Sequence, residues 1–79
     1  MSRSLPSLSS RDIEQALRRA GFVYAPRRGK GSHRAYTKVD AAGVRRLVIV
    51  PRGKDVPRGT MHSILEQAGM NAEEFLEYL

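Results

Sequence analysis

Two segments near opposite ends of the chain have the same apolar spacing and the same ending. The apolar residues of the first are Ile13, Ala16, Leu17 and Ala20, and those of the second are Met61, Ile64, Leu65 and Ala68. This i, i+3, i+4, i+7 spacing predicts two helices, each with one apolar face. Gly21 and Gly69 follow where a left-handed C-cap residue belongs, and each precedes an apolar residue. Each helix must bury its apolar face against another element. The residues between the two helices are therefore expected to form the layer on which both pack.

The middle of the chain has the composition of three short strands. We predict strands over residues 22–26, 33–39 and 44–50, with a turn over 27–32 and a hairpin connection over 40–43. The first helix is predicted over residues 10–20 with Ser9 or Ser10 as its N-cap, and the second is predicted to be capped by Gly59 or Thr60. Asn71 and Glu74 have the spacing of a capping box for a short third helix. The apolar side of that helix is predicted to be Phe75, Leu76 and Leu79.

This order predicts an α+β fold, α-β-β-β-α, with a three-stranded antiparallel sheet and the helices packed on one face. The other face is then open to solvent or a ligand. Tyr36 is the large residue of the second strand that can anchor the core, and alternation along a strand would turn His33 outward, on the side of Ala35, Thr37 and Val39.

The chain is too short for more than one core, since it has 79 residues. We predict a single domain over residues 9–79, preceded by a lead-in over residues 1–8 that orders only near Leu5 and Leu8. With no cysteine and no metal-ligand spacing, the fold must rest on packing or on a partner. The longest apolar run, residues 47–50, is far too short for a membrane span, so we expect no membrane association and a cytoplasmic protein.

Positive charge is concentrated in the first sixty residues. Their fourteen lysines and arginines and four acidic groups give a net charge of +10, whereas residues 61–79 carry four glutamates and no lysine or arginine. The basic part is expected to attract a polyanion. A generally basic, solvated surface remains the alternative. Membrane-surface binding is disfavoured because the arginines do not line one face of an amphipathic helix.

The segment from Arg27 to Arg34 has the composition of a phosphodiester site. It combines four cationic side chains, two glycines, a serine and His33, whose side-chain type exchanges protons near neutral pH. From the residues alone, His33 is either an acid/base group or an ordinary surface histidine. The glycine spacing and following helix of a phosphate-binding loop are missing, so no nucleotide cofactor is expected. The carboxylates of residues 1–60 are not clustered, so no metal is expected.

RNA supplies its own nucleophile for such a site. A histidine can take the proton of the ribose 2′-OH or protonate the leaving oxygen, while cations stabilise charge on the phosphate. DNA lacks this hydroxyl, so the route predicts cleavage restricted to RNA.

Several short motifs, taken in order, resemble the HicA family of bacterial toxins. They are Leu17-Arg18-Arg19-Ala20-Gly21-Phe22, Gly31-Ser32-His33, Val50-Pro51, Gly59-Thr60, Ile64-Leu65-Glu66-Gln67-Ala68-Gly69 and Glu74-Phe75-Leu76. The resemblance implies a double-stranded-RNA-binding-domain-like fold and a ribosome-independent mRNA interferase in which His33 is essential. It also implies a HicB antitoxin that binds the toxin and blocks its active site.

One departure from that pattern follows the third strand. Many relatives resemble Val-Pro-x-His there, whereas this chain has Gly53 in place of the histidine. A mechanism with two histidines is therefore not expected, and His33 would act with cations and backbone donors.

The leading hypothesis is a metal-independent endoribonuclease toxin that cuts mRNA and arrests growth. His33 is its acid/base group, and Gly31 and Ser32 shape the turn and contact the RNA. The predicted phosphate contacts are Arg28, Lys30, Arg34, Arg45 and Arg46. The alternatives are a non-catalytic double-stranded-RNA-binding module and a chain that works mainly as one half of a protein complex.

Overall fold

The computed structural model describes residues 5–79, so residues 1–4 of the predicted lead-in lie outside the described residues. The elements are α1 (Ser10–Arg19), β1 (Val23–Tyr24), β2 (Arg34–Val39), β3 (Arg45–Val50), α2 (Arg58–Ala68) and α3 (Ala72–Leu76). The predicted α+β fold of order α-β-β-β-α is confirmed.

The three strands form one antiparallel sheet in the order β1-β2-β3. Its register pairs Tyr24 with Tyr36 and Arg34 with Val50, so β2 begins where β3 ends. The hairpin between β2 and β3 is closed by Asp40, whose side chain accepts hydrogen bonds from the amides of Ala42 and Val44. This connection lies where the sequence predicts it.

The start of α1 and the C-terminal ends of α1 and α2 follow the predicted capping rules. Ser9 caps α1 in a reciprocal capping box with Asp12. At the other end the Phe22 amide donates to the Leu17 carbonyl across Gly21, which has a φ of 98°. The same pattern ends α2 at Gly69, and it turns the following apolar residue back toward the core in both cases.

One apolar core lies between the helices and one face of the sheet. Its fully buried large side chains are Tyr36, Phe75, Ile13, Leu17, Ile64, Val48 and Val50. The prediction that Tyr36 anchors this core is confirmed. Leu8 also belongs to it, and the Leu8 carbonyl accepts a hydrogen bond from the Val56 amide.

The opposite face of the sheet is less open than alternation predicts. Ala35 points to that face yet is fully buried, because the chain from Ala25 to His33 folds over it. Gly29 makes this close approach feasible, since a Cβ there would lie 2.5 Å from the His33 carbonyl oxygen. Val23 and Val39, farther from the loop, are exposed.

α1, β2 and β3 match the predicted bounds to within one residue, but two other elements differ more. β1 has two residues, not five, because the Phe22 amide is used by the helix end and Pro26 has no amide to donate. α2 begins at Arg58 after Pro57, without a side-chain cap, so Gly59 and Thr60 lie inside its first turn.

The end of the chain also differs. Phe75 of α3 is buried as predicted, but the helix ends at Leu76 and Leu79 is exposed. Tyr78, with Leu5, packs against the core instead. No helix among residues 5–79 has the length and hydropathy needed to cross a membrane.

Candidate functional site

A cleft of about 560 Å³ opens at the end of the sheet where β2 begins and β3 ends, beside the start of α1. Its lining residues are Ser10, Arg11, Glu14, Tyr24, Pro26, Gly29, Gly31, Ser32, His33, Arg34, Val50, Pro51 and Arg52. Four residues predicted from the sequence to form a site therefore share one surface: Gly31, Ser32, His33 and Arg34.

A tight turn presents His33 to this cleft. The backbones of Lys30 and His33 exchange two hydrogen bonds of 3.2 and 3.0 Å, and Gly31 between them has a φ of 59°. A positive φ at the first central residue is the signature of a type II′ turn, which glycine favours. His33 precedes β2 and is not part of it, so strand alternation does not decide where its side chain points.

The His33 imidazole is exposed and makes no hydrogen bond or ion pair with any residue between 5 and 79. The His33 side chain can therefore contact a ligand in the cleft.

In the wall of the cleft, a buried carboxylate organises three other side chains. Glu14 is only 8% exposed. It accepts a 2.5 Å hydrogen bond from the Tyr36 hydroxyl and a 3.3 Å bond from the Arg34 guanidinium. Arg18 donates in turn to the Tyr36 hydroxyl at 3.1 Å. The network fixes Arg34 at the wall of the cleft, and it satisfies a carboxylate that would otherwise be costly to bury.

The network also shifts two pKa values. Burial and the hydrogen bond to Glu14 raise the pKa of Tyr36 to about 12, so its hydroxyl keeps its proton at physiological pH. The negative charge of Glu14 raises the pKa of Arg34, which remains cationic. Arg34 is thus a fixed positive charge beside His33.

The raised pKa of Tyr36 predicts a loss of stability at high pH. An unfolded tyrosine ionises near pH 10, whereas folded Tyr36 holds its proton up to about pH 12. The stability this group contributes is therefore complete below pH 10 and is lost between pH 10 and 12. Denaturant midpoints measured from pH 8 to 12 should show a smaller decline in Tyr36→Phe than in the wild-type protein. Equal declines would contradict the assignment.

Two further arginines reach the cleft from distant parts of the chain. The backbone amide of Ser10 donates to the Gly53 carbonyl at 2.9 Å, and the Ser10 hydroxyl bonds both the amide and the carbonyl of Gly53. These bonds hold the loop after β3 against the start of α1. Arg11 and Arg52 consequently lie on the same surface as Arg34.

The cleft lies entirely within a segment that matches a known family. Residues 10–70 match the family model described as the HicA toxin of bacterial toxin-antitoxin. The chain belongs to the HicA toxin family. It is accordingly the toxin component of a bacterial toxin-antitoxin system and has an antitoxin as its partner. A search of curated proteins found no match.

In this HicA family member, not all of the residues predicted to contact RNA phosphates line the cleft. Arg28 and Lys30 are exposed on the loop beside it. Arg45 and Arg46 lie at the hairpin end of β3, about 17 Å and about 13 Å along the strand from Val50. Arg46 is also paired with Asp40 at 3.0 Å and lies over Gly69.

Four charged or aromatic residues of the cleft were not predicted as site residues from the sequence of this HicA family member. They are Arg11, Glu14, Tyr24 and Arg52. The sequence contained only a weak indication of them. Glu14, for example, lies at the border of the apolar stripe of α1, a position at which a charged side chain is usually expected to face solvent. Among residues 5–79 no group of three or more histidine, aspartate and glutamate side chains is arranged to hold a metal ion.

Proposed function

We propose that this HicA family toxin is a metal-independent endoribonuclease that cleaves mRNA, with His33 as its acid/base group. The observation that carries the proposal is the convergence in one cleft of His33 with Arg11, Arg34 and Arg52, which come from three separate parts of the chain. A proton-transfer group surrounded by fixed cations is the combination that phosphodiester cleavage needs.

The reaction uses the nucleophile that RNA provides. His33 takes the proton of the ribose 2′-OH as that oxygen attacks the adjacent phosphorus. The bond from phosphorus to the 5′-oxygen breaks, and that oxygen takes a proton from solvent water to leave as a hydroxyl, while His33 returns its proton to the solvent. The products are a 2′,3′-cyclic phosphate and a 5′-hydroxyl, and no oxidant, reductant or metal is consumed.

The arginines have distinct roles in this proposal. Arg34, held by Glu14 at 3.3 Å, is the preorganised cation nearest in sequence to His33 and stabilises charge developing on the phosphate. Arg11 and Arg52 contact neighbouring phosphates. Gly31 and Ser32 offer a backbone amide and a hydroxyl from the turn.

The basic residues outside the cleft serve longer RNA in the proposal. Arg28 and Lys30 contact flanking phosphates beside the turn, whereas Arg45 and Arg46 lie too far along β3 to contact the same nucleotide. They would reach only RNA that continues along the sheet. The antitoxin partner is proposed to be HicB-like and to inhibit the toxin by covering the cleft.

The dependence on the 2′-OH is tested with matched RNA and DNA. A single-stranded RNA incubated with the toxin in EDTA should be cut, while DNA of the same sequence should remain intact. RNA carrying 2′-fluoro groups, which cannot attack phosphorus, should also remain intact. Cleavage of the DNA or of the 2′-fluoro RNA would contradict the mechanism, and binding without cleavage would favour a non-catalytic RNA-binding module.

A further inference from the structure

One aromatic side chain in the cleft is not explained by the proposed chemistry. Tyr24 is 43% exposed and lines the cleft with His33 and Arg34. It is a large amphipathic ring at the surface of a small domain, and its hydroxyl makes no hydrogen bond with residues 5–79.

The Tyr24 ring is held from behind by rigid neighbours. Its register partner across β1 and β2 is Tyr36, whose ring centroid is 5.6 Å away at an interplanar angle of 46°. Tyr36 is itself fully buried and is fixed by Glu14 and Arg18. Tyr24 is therefore a preorganised surface that loses little side-chain freedom when it is covered by a ligand.

Arg34 completes the arrangement. Its guanidinium carbon lies 5.8 Å from the centroid of the Tyr24 ring and its Nη1 lies 3.3 Å from Glu14. A cation for phosphate and an aromatic ring for a base are thus adjacent, and His33 is the next residue before Arg34 in the chain.

From this geometry we infer that Tyr24 is a base-stacking residue that selects single-stranded RNA. An unpaired nucleotide places its base against the exposed part of the Tyr24 ring, next to the Arg34 guanidinium that lies over the ring, while its phosphate is held by Arg34 beside His33. A base in a duplex is already paired and stacked, so it cannot occupy this position without opening the helix. The inference rests on the proposed function, because it places the nucleotide next to the reacting phosphate.

The test measures binding separately from cleavage. The probe is a fluorescein-labelled, seven-nucleotide single-stranded RNA with 2′-fluoro groups, which cannot be cut by attack of the 2′-OH, and the readout is fluorescence anisotropy in EDTA. Tyr24→Ala and Tyr24→Leu should bind about 5- to 100-fold more weakly than wild type, because each loses the π surface. Tyr24→Phe should bind within about twofold of wild type. Val23→Ala, next in sequence and outside the cleft, is the matched control.

A second measurement keeps the test independent of any folding defect. Seven oligonucleotides, each with one abasic position, are compared with the intact probe on wild-type protein. Removal of the stacked base should weaken binding at one position, and that loss should disappear in Tyr24→Ala, since the two changes delete the same contact.

The outcomes separate the two proposals. If wild type cleaves unmodified RNA but Tyr24→Ala and Tyr24→Leu bind the probe like wild type, the stacking inference is overturned and the nuclease proposal stands. Equal loss at every abasic position, unchanged in Tyr24→Ala, would also overturn it. If wild type binds the probe with the expected Tyr24 dependence but does not cut RNA, the stacking inference holds for binding and the nuclease proposal fails.

Discussion

Replacing His33 by alanine is expected to abolish RNA cleavage by this HicA family toxin. General acid-base groups contribute about 10²- to 10⁴-fold to rate, and His33 is the only histidine that lines the cleft among residues 5–79. The fold should be unaffected, because the side chain is exposed and contacts no partner in the described chain. The rate of cleavage of a defined RNA tests the loss of activity. The thermal unfolding midpoint of the variant tests whether its fold is retained.

His62 provides the matched control. It is also an exposed histidine, but it lies on α2, outside the cleft, with its Nε2 atom 3.0 Å from Glu66. His62→Ala should therefore retain cleavage and growth arrest. Equal activity of His33→Ala and wild type would remove His33 from the mechanism, and equal loss in both variants would indicate a general effect of removing histidine.

Gly29→Ala is expected to impair both folding and activity. The new Cβ would lie 2.5 Å from the His33 carbonyl oxygen and 3.3 Å from the Ala35 amide nitrogen, so backbone must move. Overpacking of this kind costs about 1–3 kcal/mol of unfolding free energy. Because the atom displaced belongs to His33, and a shift of about 1 Å can cost 10²-fold, we expect about a 100-fold fall in cleavage rate as well.

Gly53→Ala is the control for this substitution. A Cβ at Gly53 meets nothing within 4 Å, and its φ lies outside the left-handed region. The added methyl group should leave the free energy of unfolding unchanged or raise it by about 0.4–1 kcal/mol, because alanine lowers the conformational entropy of the unfolded chain. Denaturant titrations of both variants make the comparison. If Gly29→Ala matches Gly53→Ala in stability and in cleavage, the close approach at Gly29 does not position His33.

The fold was predictable where local chemistry decides it. The two apolar stripes, the glycines that end α1 and α2, and the capping box of α3 each act within a few residues, and all were confirmed. The short length of β1 was not predictable, because it depends on how the Phe22 amide is used by the helix end and on the turn that follows.

The candidate site was predictable only in its local part. The composition of one short segment indicated a site, because its members are neighbours in sequence: Gly31, Ser32, His33 and Arg34. Arg11 and Arg52 reach the cleft because Ser10 bonds the backbone of Gly53, forty-three positions away, and no spacing in the sequence indicates that contact. Glu14 and Tyr24 likewise join the cleft through tertiary contacts, with Arg34 and Tyr36 respectively.

The central claim is tested most directly by the ends of the RNA products. Wild-type protein and His33→Ala are incubated with a defined single-stranded RNA in EDTA, and the products are mapped and their end groups identified. The account predicts cuts by wild type alone, leaving 2′,3′-cyclic phosphate or 3′-phosphate ends and 5′-hydroxyl ends. Products with 5′-phosphate ends, or the same cuts by His33→Ala, would contradict it.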